Sequence, residues 1–137
     1  MSTLRQRLGR DDGFTLIELL VVLVIIGILL AIAVPSYLGL KDRANNRAAQ
    51  ADVRAAIPSA EAYYADNQDY SGMSWAALKS IDGGLSGKIT HVDGTLASGQ
   101  AYCIGADVGG KSWSVHGPGA SQWYTSIDCA AGTEATP

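Results

Sequence analysis

The sequence predicts an α+β protein in which a long N-terminal helix packs its second half on a small antiparallel β-sheet. Two observations predict this architecture. A nearly uninterrupted aliphatic stretch close to the N-terminus continues into a segment with helical periodicity. The second half of the chain holds short alternating segments bounded by Gly, Pro, Ser and Asp, a pattern typical of strands and turns.

Length and charge argue against several classes of protein. A chain of 137 residues and 14.3 kDa has room for one ordinary domain, which disfavours a multidomain enzyme with a separate cofactor domain. The formal net charge is −3, so no overall basic field attracts nucleic acid. A dedicated DNA-binding protein is therefore not expected.

Residues 14–40 predict a membrane-spanning helix, because Glu18 is the only charged side chain among them. The uncharged residues 19–40 would cover roughly 33 Å at about 1.5 Å per residue, enough for a hydrocarbon core of about 30 Å. A buried helix of a soluble protein is one alternative, but the downstream residues hold few large aliphatic side chains to surround it.

A cleavable secretory signal is the second alternative for this stretch. Arg5, Arg7 and Arg10 precede the apolar run, and the Ala-Ile-Ala sequence at 31–33 resembles a cleavage site. The apolar run is longer than the core of such a signal, an acidic residue interrupts it, and Pro35 follows almost at once. A spanning helix is therefore favoured.

The charges on the two sides of the helix leave its orientation open, since Lys41, Arg43 and Arg47 after it balance the three arginines before it. Cys103 and Cys129 favour one orientation, because a cysteine pair that staples a small domain belongs in an oxidising compartment. We therefore expect a cytoplasmic N-terminus and a C-terminal part on the opposite side of the membrane.

Glu18 is the main functional candidate. An ionisable side chain in a membrane helix costs about 2.5 to 3.5 kcal/mol for the most polar residues and needs a partner. The span contains no Lys or Arg, so the partner must be another chain, a lipid headgroup or a positive charge created later. Snorkelling of the carboxylate to the interface is the simple alternative.

Residues 13–20, GFTLIELL, resemble the processing motif of type IV pilins and pseudopilins, the class III signal peptide. The resemblance is strong over about residues 9–70. It implies that a prepilin peptidase removes residues 1–13 by cutting between Gly13 and Phe14, and then methylates the new amine on Phe14.

The resemblance also implies the function. The chain would be a structural subunit of a type IV pilus-like filament, assembled through its N-terminal helix, with no enzymatic activity and no cofactor. A pseudopilin of a type II secretion or competence (DNA-uptake) system stays open as the alternative. A bitopic membrane enzyme or receptor is disfavoured, because the sequence contains no catalytic constellation.

The implied partners are further copies of the chain, the prepilin peptidase, a pilus assembly platform protein with its ATPase, and the membrane. Nucleic acid is not expected as a partner. The implied location is a single pass through the cytoplasmic membrane with the head outside, and afterwards an extracellular filament at the cell surface.

Cleavage after Gly13 would place a cation one helical turn from Glu18. We expect the Glu18 of an incoming subunit to pair with the Phe14 amine of its neighbour and to set the register. Pro35 removes a backbone N–H and frees the carbonyl of Ala31, so a kink or a locally melted stretch is expected there.

Residues 41–67 predict an amphipathic extension of the same helix, which Pro58 would bend. Its apolar face consists of Ala49, Val53, Ala56, Ile57, Ala60 and Tyr64. The basic residues Lys41, Arg43, Arg47 and Arg54 could bind nucleic acid or acidic lipid. A solvated or intersubunit face is favoured, because two aspartates lie among them and no aromatic platform is interleaved.

Residues 68–137 predict a globular β head with a disulfide loop. An irregular connection over 68–87 is expected first, with one helical turn at 75–81. We then expect four antiparallel strands, at 88–92, 101–108, 111–116 and 122–127. Residues 130–137 are expected to be a mobile end. Gly109 and Gly110 predict a two-residue hairpin turn. The resulting sheet is too small to stand alone and must pack on the helix.

Cys103 and Cys129 are expected to form a disulfide that adds roughly 3.5 kcal/mol in the chain-entropy model. Two free thiols are the alternative. No metal site is expected, because His91 and His116 show no recognised ligand spacing with the cysteines. The same histidines and Ser114 have no spacing that specifies a nucleophile and its base.

Residues 105–112, GADVGGKS, satisfy the P-loop pattern. A P-loop must be followed by a helix whose N-terminus holds phosphate. The residues after Lys111 alternate like a strand, so no nucleotide site is expected.

Overall fold

The computed structural model describes residues 13–120, 122–130 and 133–137. It consists of two compact units, Met1–Gly39 and Leu40–Pro137. We call residues 13–39 the N-terminal segment and the second unit the head. The leader up to residue 12, with the basic residues Arg5, Arg7 and Arg10, lies outside the described residues.

Helix α1 extends from Leu16 to Asn67 and includes both the apolar stretch and the predicted amphipathic extension. Among the described residues it is the one helix long and apolar enough to cross a membrane. The helix continues through Pro35 and Pro58, so the melted stretch considered at Pro35 is not present. A proline removes only one backbone N–H, and the backbone groups of the surrounding residues keep the rest of the helix.

The head contains helix α2 (Trp75–Ile81) and one antiparallel sheet. The short helix was predicted at this place, and Ser74 caps it by accepting the N–H of Ala77 at 3.3 Å. The strands lie in chain order across the sheet: β1 (Ile89–Asp93), β2 (Tyr102–Val108), β3 (Lys111–Gly117), β4 (Gln122–Tyr124) and β5 (Glu134–Ala135).

The end of the sheet differs from the prediction. Strand β4 ends at Tyr124 rather than at residue 127, and the end that was expected to be mobile contributes strand β5. Trp123 is in register with Ala135, and the N–H of Thr125 donates to the carbonyl of Thr133 at 3.2 Å. The short sequence of β5 has no strand pattern of its own. Its hydrogen bonds come from the free edge of β4, and the pattern of residues within β5 contains no sign of that edge.

The predicted hairpin turn at Gly109 and Gly110 is confirmed, and it also accounts for the P-loop pattern. Val108 pairs with Lys111, and the two glycines have φ angles of 58° and 80°. Positive φ at both turn residues matches a two-residue hairpin. Residues 105–112 are therefore strand, turn and strand, with Ser112 inside β3 rather than before a helix.

The core of the head lies between one face of α1 and one face of the sheet. Val53, Ala56 and Ala60 are buried on the helix, and their small size lets the sheet approach closely. The sheet contributes alternate residues of two strands, with Ile104 opposite Val115. The remaining large residues of this core are Tyr70, Met73, Leu78, Leu85, Ile89, Tyr102, Trp113 and Trp123.

Close approach of the chain after β4 requires a residue without a side chain at position 105. A Cβ atom on Gly105 would collide with the carbonyl oxygen of Ile127. The adjacent disulfide between Cys103 and Cys129 holds the same segment against β2, across a sequence separation of 26 residues. The predicted pairing is thus present, and it directs the chain back toward β4 to form β5.

Glu61 is a carboxylate of α1 that two buried tyrosines hold. The hydroxyl groups of Tyr70 and Tyr102 donate to its two oxygens at 3.0 and 3.1 Å. Tyr70 also stacks between Tyr64 and Tyr102, with ring centroids 4.7 and 4.9 Å apart. Burial first, and then the negative charge of Glu61, raise the pKa of Tyr102 above its usual value.

Removing the disulfide should lower the stability of the head. For the full chain in detergent, we expect the Cys103→Ala/Cys129→Ala variant to lose about 3 to 4 kcal/mol of unfolding free energy, because a closed loop of this length restricts the unfolded chain. Urea denaturation followed by near-ultraviolet circular dichroism measures it. A loss below about 1 kcal/mol would contradict the prediction.

Alkaline pH should destabilise the head. A tyrosine whose folded pKa is raised stabilises the fold below its unfolded pKa of about 10, and this contribution is lost as the pH rises further. We expect the unfolding free energy to fall between pH 9 and pH 11, and Tyr102→Phe to weaken this dependence. At pH 8 that variant should cost about 1 to 2 kcal/mol, because Glu61 loses a donor. An equal pH dependence in both proteins would contradict the assignment.

Candidate assembly site at the start of helix α1

The residues at the predicted cleavage position lie just before α1. Gly13, Phe14 and Thr15 precede the first helical residue and are exposed, and the Phe14 side chain is 83% exposed. A peptide bond outside a helix is available to a protease without prior unfolding.

Thr15 and Glu18 cap the helix reciprocally. The backbone N–H of Thr15 donates to Glu18 Oε2 at 2.8 Å, and the backbone N–H of Glu18 donates to Thr15 Oγ1 at 3.4 Å. Thr15 is therefore the N-cap and Glu18 the third helical residue of a capping box. The N–H of Thr15, which lies before the helix, gains its acceptor in this way, and the N–H of Glu18 is shared between Thr15 Oγ1 and the carbonyl oxygen of Thr15, to which it donates at 3.1 Å.

The capping box also positions the carboxylate of Glu18. The nitrogens of two consecutive residues are at most about 3.7 Å apart, so Glu18 Oε2 lies within about 6.5 Å of the nitrogen of Phe14. The nitrogen on which cleavage would create an amine is thus already close to the carboxylate of the same chain.

This internal partner was not foreseen from the sequence. The partner of Glu18 was expected to be another chain, a lipid headgroup or a positive charge created later, and not the backbone of Thr15. The signal was available, because Thr-Leu-Ile-Glu before an apolar run has the Ser/Thr-x-x-Glu spacing of a capping box.

The rest of the N-terminal segment presents aliphatic side chains outward. Ile25, Leu29 and Leu30 are each more than half exposed, and Pro35 is exposed within the helix. A shallow apolar concavity of about 440 Å³ lies on the first two turns. Its lining consists of Leu16, Leu19, Leu20, Leu23 and Val24. Such a surface must be covered by lipid or by other apolar helices.

The head brings one group of possible metal ligands together that the sequence analysis did not foresee. The ligand atoms of His91, Cys103 and Asp128 lie within 4.8 Å of one another. The sulfur of Cys103 is bonded to Cys129 and is not a thiolate, so this group lacks the ligand that would hold a metal tightly.

Ser114, the other residue considered for chemistry, is fully buried in β3. Among the described residues its hydroxyl group has no hydrogen-bond partner, so neither His91 nor His116 is hydrogen-bonded to it. A serine without a base is not an activated nucleophile.

The Thr15 hydroxyl should be what holds the first turn of α1. In the full chain in detergent micelles, we expect Thr15→Val to speed the hydrogen exchange of the Glu18 amide about fivefold, corresponding to about 1 kcal/mol for a lost cap. Thr15→Ser keeps the hydroxyl group and should behave like the parent. Equal exchange rates in the valine variant and the parent would contradict the role of the cap.

Comparison with known proteins identifies the family. Residues 9–34 match the model described as the prokaryotic N-terminal methylation motif. The chain is 39% identical over 104 residues to the type IV wide pilus major component PilA4 of Thermus thermophilus, an alignment that covers 74% of this chain and 77% of that protein.

Two further relatives match a shorter part. The type IV narrow pilus major component PilA5 of the same organism is 54% identical over 56 residues, 41% of this chain and 45% of that protein. The type II secretion system core protein G of Aeromonas hydrophila is 41% identical over 61 residues, 44% of this chain and 43% of that protein. The chain therefore belongs to the family of type IV pilins and pseudopilins.

Proposed function

We propose that this chain is a structural subunit of a type IV pilus-like filament, processed by a prepilin peptidase and assembled through its N-terminal helix. The observation that supports this proposal most is the exposed aliphatic helix, whose start is capped by the carboxylate of Glu18. It occurs in a chain that aligns with more than three quarters of a pilus component.

The proposed processing site is the bond between Gly13 and Phe14. Both residues lie outside α1 and are exposed, which suits a protease that acts next to a membrane helix. Cleavage gives Phe14 a free amine, and N-methylation leaves that amine basic. In this proposal the chain consists of a leader over 1–13, an assembly helix over 14–40, a helical extension over 41–67 and a globular β region over 68–137.

Glu18 gives the amine its partner. The carboxylate and the new amine would lie within about 6.5 Å of each other, close enough for their opposite charges to attract. The partner amine can belong to the same chain or to a neighbour in the filament. A carboxylate without such a partner is unfavourable in an apolar environment, so the pair favours one register between helices.

Apolar packing supplies the affinity between subunits. A helix as aliphatic as this one leaves the bilayer only if other apolar surfaces replace the lipid. Ile25, Leu29 and Leu30 are exposed and can form those contacts. Pro35 leaves the helix one hydrogen bond short, which lowers the cost of a local rearrangement during assembly.

The proposed location follows from the disulfide and the membrane helix. The bond between Cys103 and Cys129 suits an oxidising compartment, so the head lies outside the cytoplasmic membrane. The chain then passes once through that membrane before assembly and afterwards belongs to an extracellular filament at the cell surface. Its partners in assembly are the peptidase, a platform protein and an ATPase.

A pseudopilin of a type II secretion or DNA-uptake system is the second candidate. This candidate is supported by the 41% identity to a type II secretion core protein over 61 residues. Mass spectrometry of filaments sheared from cells separates the two functions. A pilin is abundant in the sheared material and begins at methylated Phe14, whereas a pseudopilin is absent from it.

The charge of Glu18 should be required for assembly and not for processing. We expect Glu18→Gln to be cleaved like the parent but to enter sheared filaments at least tenfold less, because it keeps an oxygen for the cap and loses the charge pair. Glu134→Gln, a charge change in the head, is the matched control and should assemble normally. Normal incorporation of Glu18→Gln would contradict the proposal.

A further inference from the structure

The helix carries four basic residues from position 41 to position 54 to which the proposed function gives no role: Lys41, Arg43, Arg47 and Arg54. Arg43 and Arg47 line a pocket of about 460 Å³ in the head, whereas Lys41 and Arg54 do not. The other lining residues are Asn46, Gln50, Trp113, Thr136 and Pro137.

This pocket offers more hydrogen-bond donors than acceptors. The amide oxygen of Gln50, a residue only 5% exposed, accepts from the guanidinium group of Arg47 at 3.1 Å. The amide oxygen of Asn46 accepts from the indole N–H of Trp113 at 3.1 Å. Because both oxygens are engaged, guanidinium and amide N–H groups remain for a ligand.

The side chains that line the pocket carry a net positive charge. None of the described acidic side chains lines it, and the ion pair found among the described residues joins Lys111 to Asp42 at 3.4 Å without involving either arginine. Two guanidinium groups with spare donors favour an anion that has several acceptor oxygens. Phosphate is such an anion, and arginine binds it in a bidentate manner.

In a chain whose apolar stretch spans a bilayer, the pocket would lie near the depth of the phospholipid headgroups. Within the head, α1 is continuous from Leu40, the last residue of the apolar stretch, so Arg43 and Arg47 are about 4.5 and 10.5 Å further along the helix. The headgroup layer extends about 5 to 8 Å beyond the hydrocarbon core on each side. Both guanidinium groups can therefore reach phosphate groups of the bilayer that Leu40 leaves.

Carboxylates of a second copy are weaker candidates for this pocket, because many of them already accept hydrogen bonds within their own chain. Glu61 accepts from two tyrosines. Asp69, Asp93 and Asp107 each accept a backbone N–H of their own turn. The pKa of each carboxyl group is lowered, at Asp69 and Asp107 first by a serine side chain (Ser71 and Ser112) and then by the backbone N–H, and at Asp93 first by the backbone N–H and then by the hydroxyl group of Thr95.

We propose that the pocket between α1 and β3 binds the phosphate of an anionic phospholipid headgroup while the subunit is still in the membrane. The proposal rests on the proposed function in one respect, that the chain spans a bilayer before assembly. Binding would hold the base of the head at the membrane surface until the subunit is withdrawn.

The test compares two double variants that lose the same charge. The full chain is placed in nanodiscs of phosphatidylcholine with and without phosphatidylglycerol, and native mass spectrometry counts the lipids it retains. We expect the parent and Lys41→Gln/Arg54→Gln to retain phosphatidylglycerol preferentially. Arg43→Gln/Arg47→Gln should retain about fivefold less of it than the control variant.

A single variant protects the test against a folding defect. Arg47→Gln removes the hydrogen bond to Gln50, whereas Arg43 makes no recorded hydrogen bond among the described residues. Arg43→Gln alone should therefore keep the near-ultraviolet circular dichroism of the parent and still lose phosphatidylglycerol relative to Lys41→Gln.

Four outcomes would overturn the proposal. The first is a parent that shows no preference for phosphatidylglycerol. The second is an equal loss of this lipid in both double variants, which would indicate a diffuse charge effect. The third is binding of inorganic phosphate in detergent without any preference for phosphatidylglycerol. The fourth is an Arg43→Gln/Arg47→Gln variant that keeps its lipids but no longer forms filaments, which would assign the pocket to a second copy.

Filament formation by the same proteins is scored separately. A parent that prefers phosphatidylglycerol but never polymerises disproves the filament function and leaves the lipid pocket intact. A parent that polymerises but shows no lipid preference disproves the lipid pocket and leaves the filament function intact.

Discussion

One carboxylate in an otherwise uncharged apolar helix is the constraint on which the rest of this protein depends. Glu18 finds one donor locally, the N–H of Thr15. In the proposed function, cleavage after Gly13 adds a second, the amine of Phe14, and the hydrogen bonds that cap the helix hold the carboxylate close to it. On this proposal helix initiation, processing and register between subunits are coupled at the same few residues.

The head is built to be stable with a small core. Alanines on the helix face allow close packing, and the largest buried side chains are aromatic rather than aliphatic. The disulfide ties the chain after β4 to β2, and the short strand β5 extends the sheet at the edge of β4. The Tyr70 and Tyr102 hydroxyl groups donate to Glu61 and so tie α1 to the connection before α2 and to β2.

Much of the fold could be predicted because local signals were strong. The length of the apolar stretch, the paired glycines of the hairpin and the alternation in β2 and β3 each specify one local structure. Strand β5 could not be predicted, because its two residues pair with an edge that exists only in the folded head. The Glu61 cluster was hidden for the same reason, since Glu61 and Tyr102 lie 41 residues apart.

The candidate site was predicted in part. Gly13, Phe14 and Glu18 were recognised from a short motif, whereas the capping role of Thr15 was overlooked although the spacing was present. The basic pocket could not be foreseen, because Trp113 and Asn46 meet only through packing of β3 on α1. Sequence spacing places the arginines on one helix face, but it does not show which amide oxygens are already engaged.

The most direct test of this account is the distance between the amine nitrogen of Phe14 and the carboxylate carbon of Glu18 in assembled filaments. Solid-state nuclear magnetic resonance with nitrogen-15 at Phe14 and carbon-13 at Glu18 measures it. The account predicts a dipolar coupling that corresponds to a separation below about 6 Å. Filaments in which every subunit is labelled and no coupling is detected would contradict it.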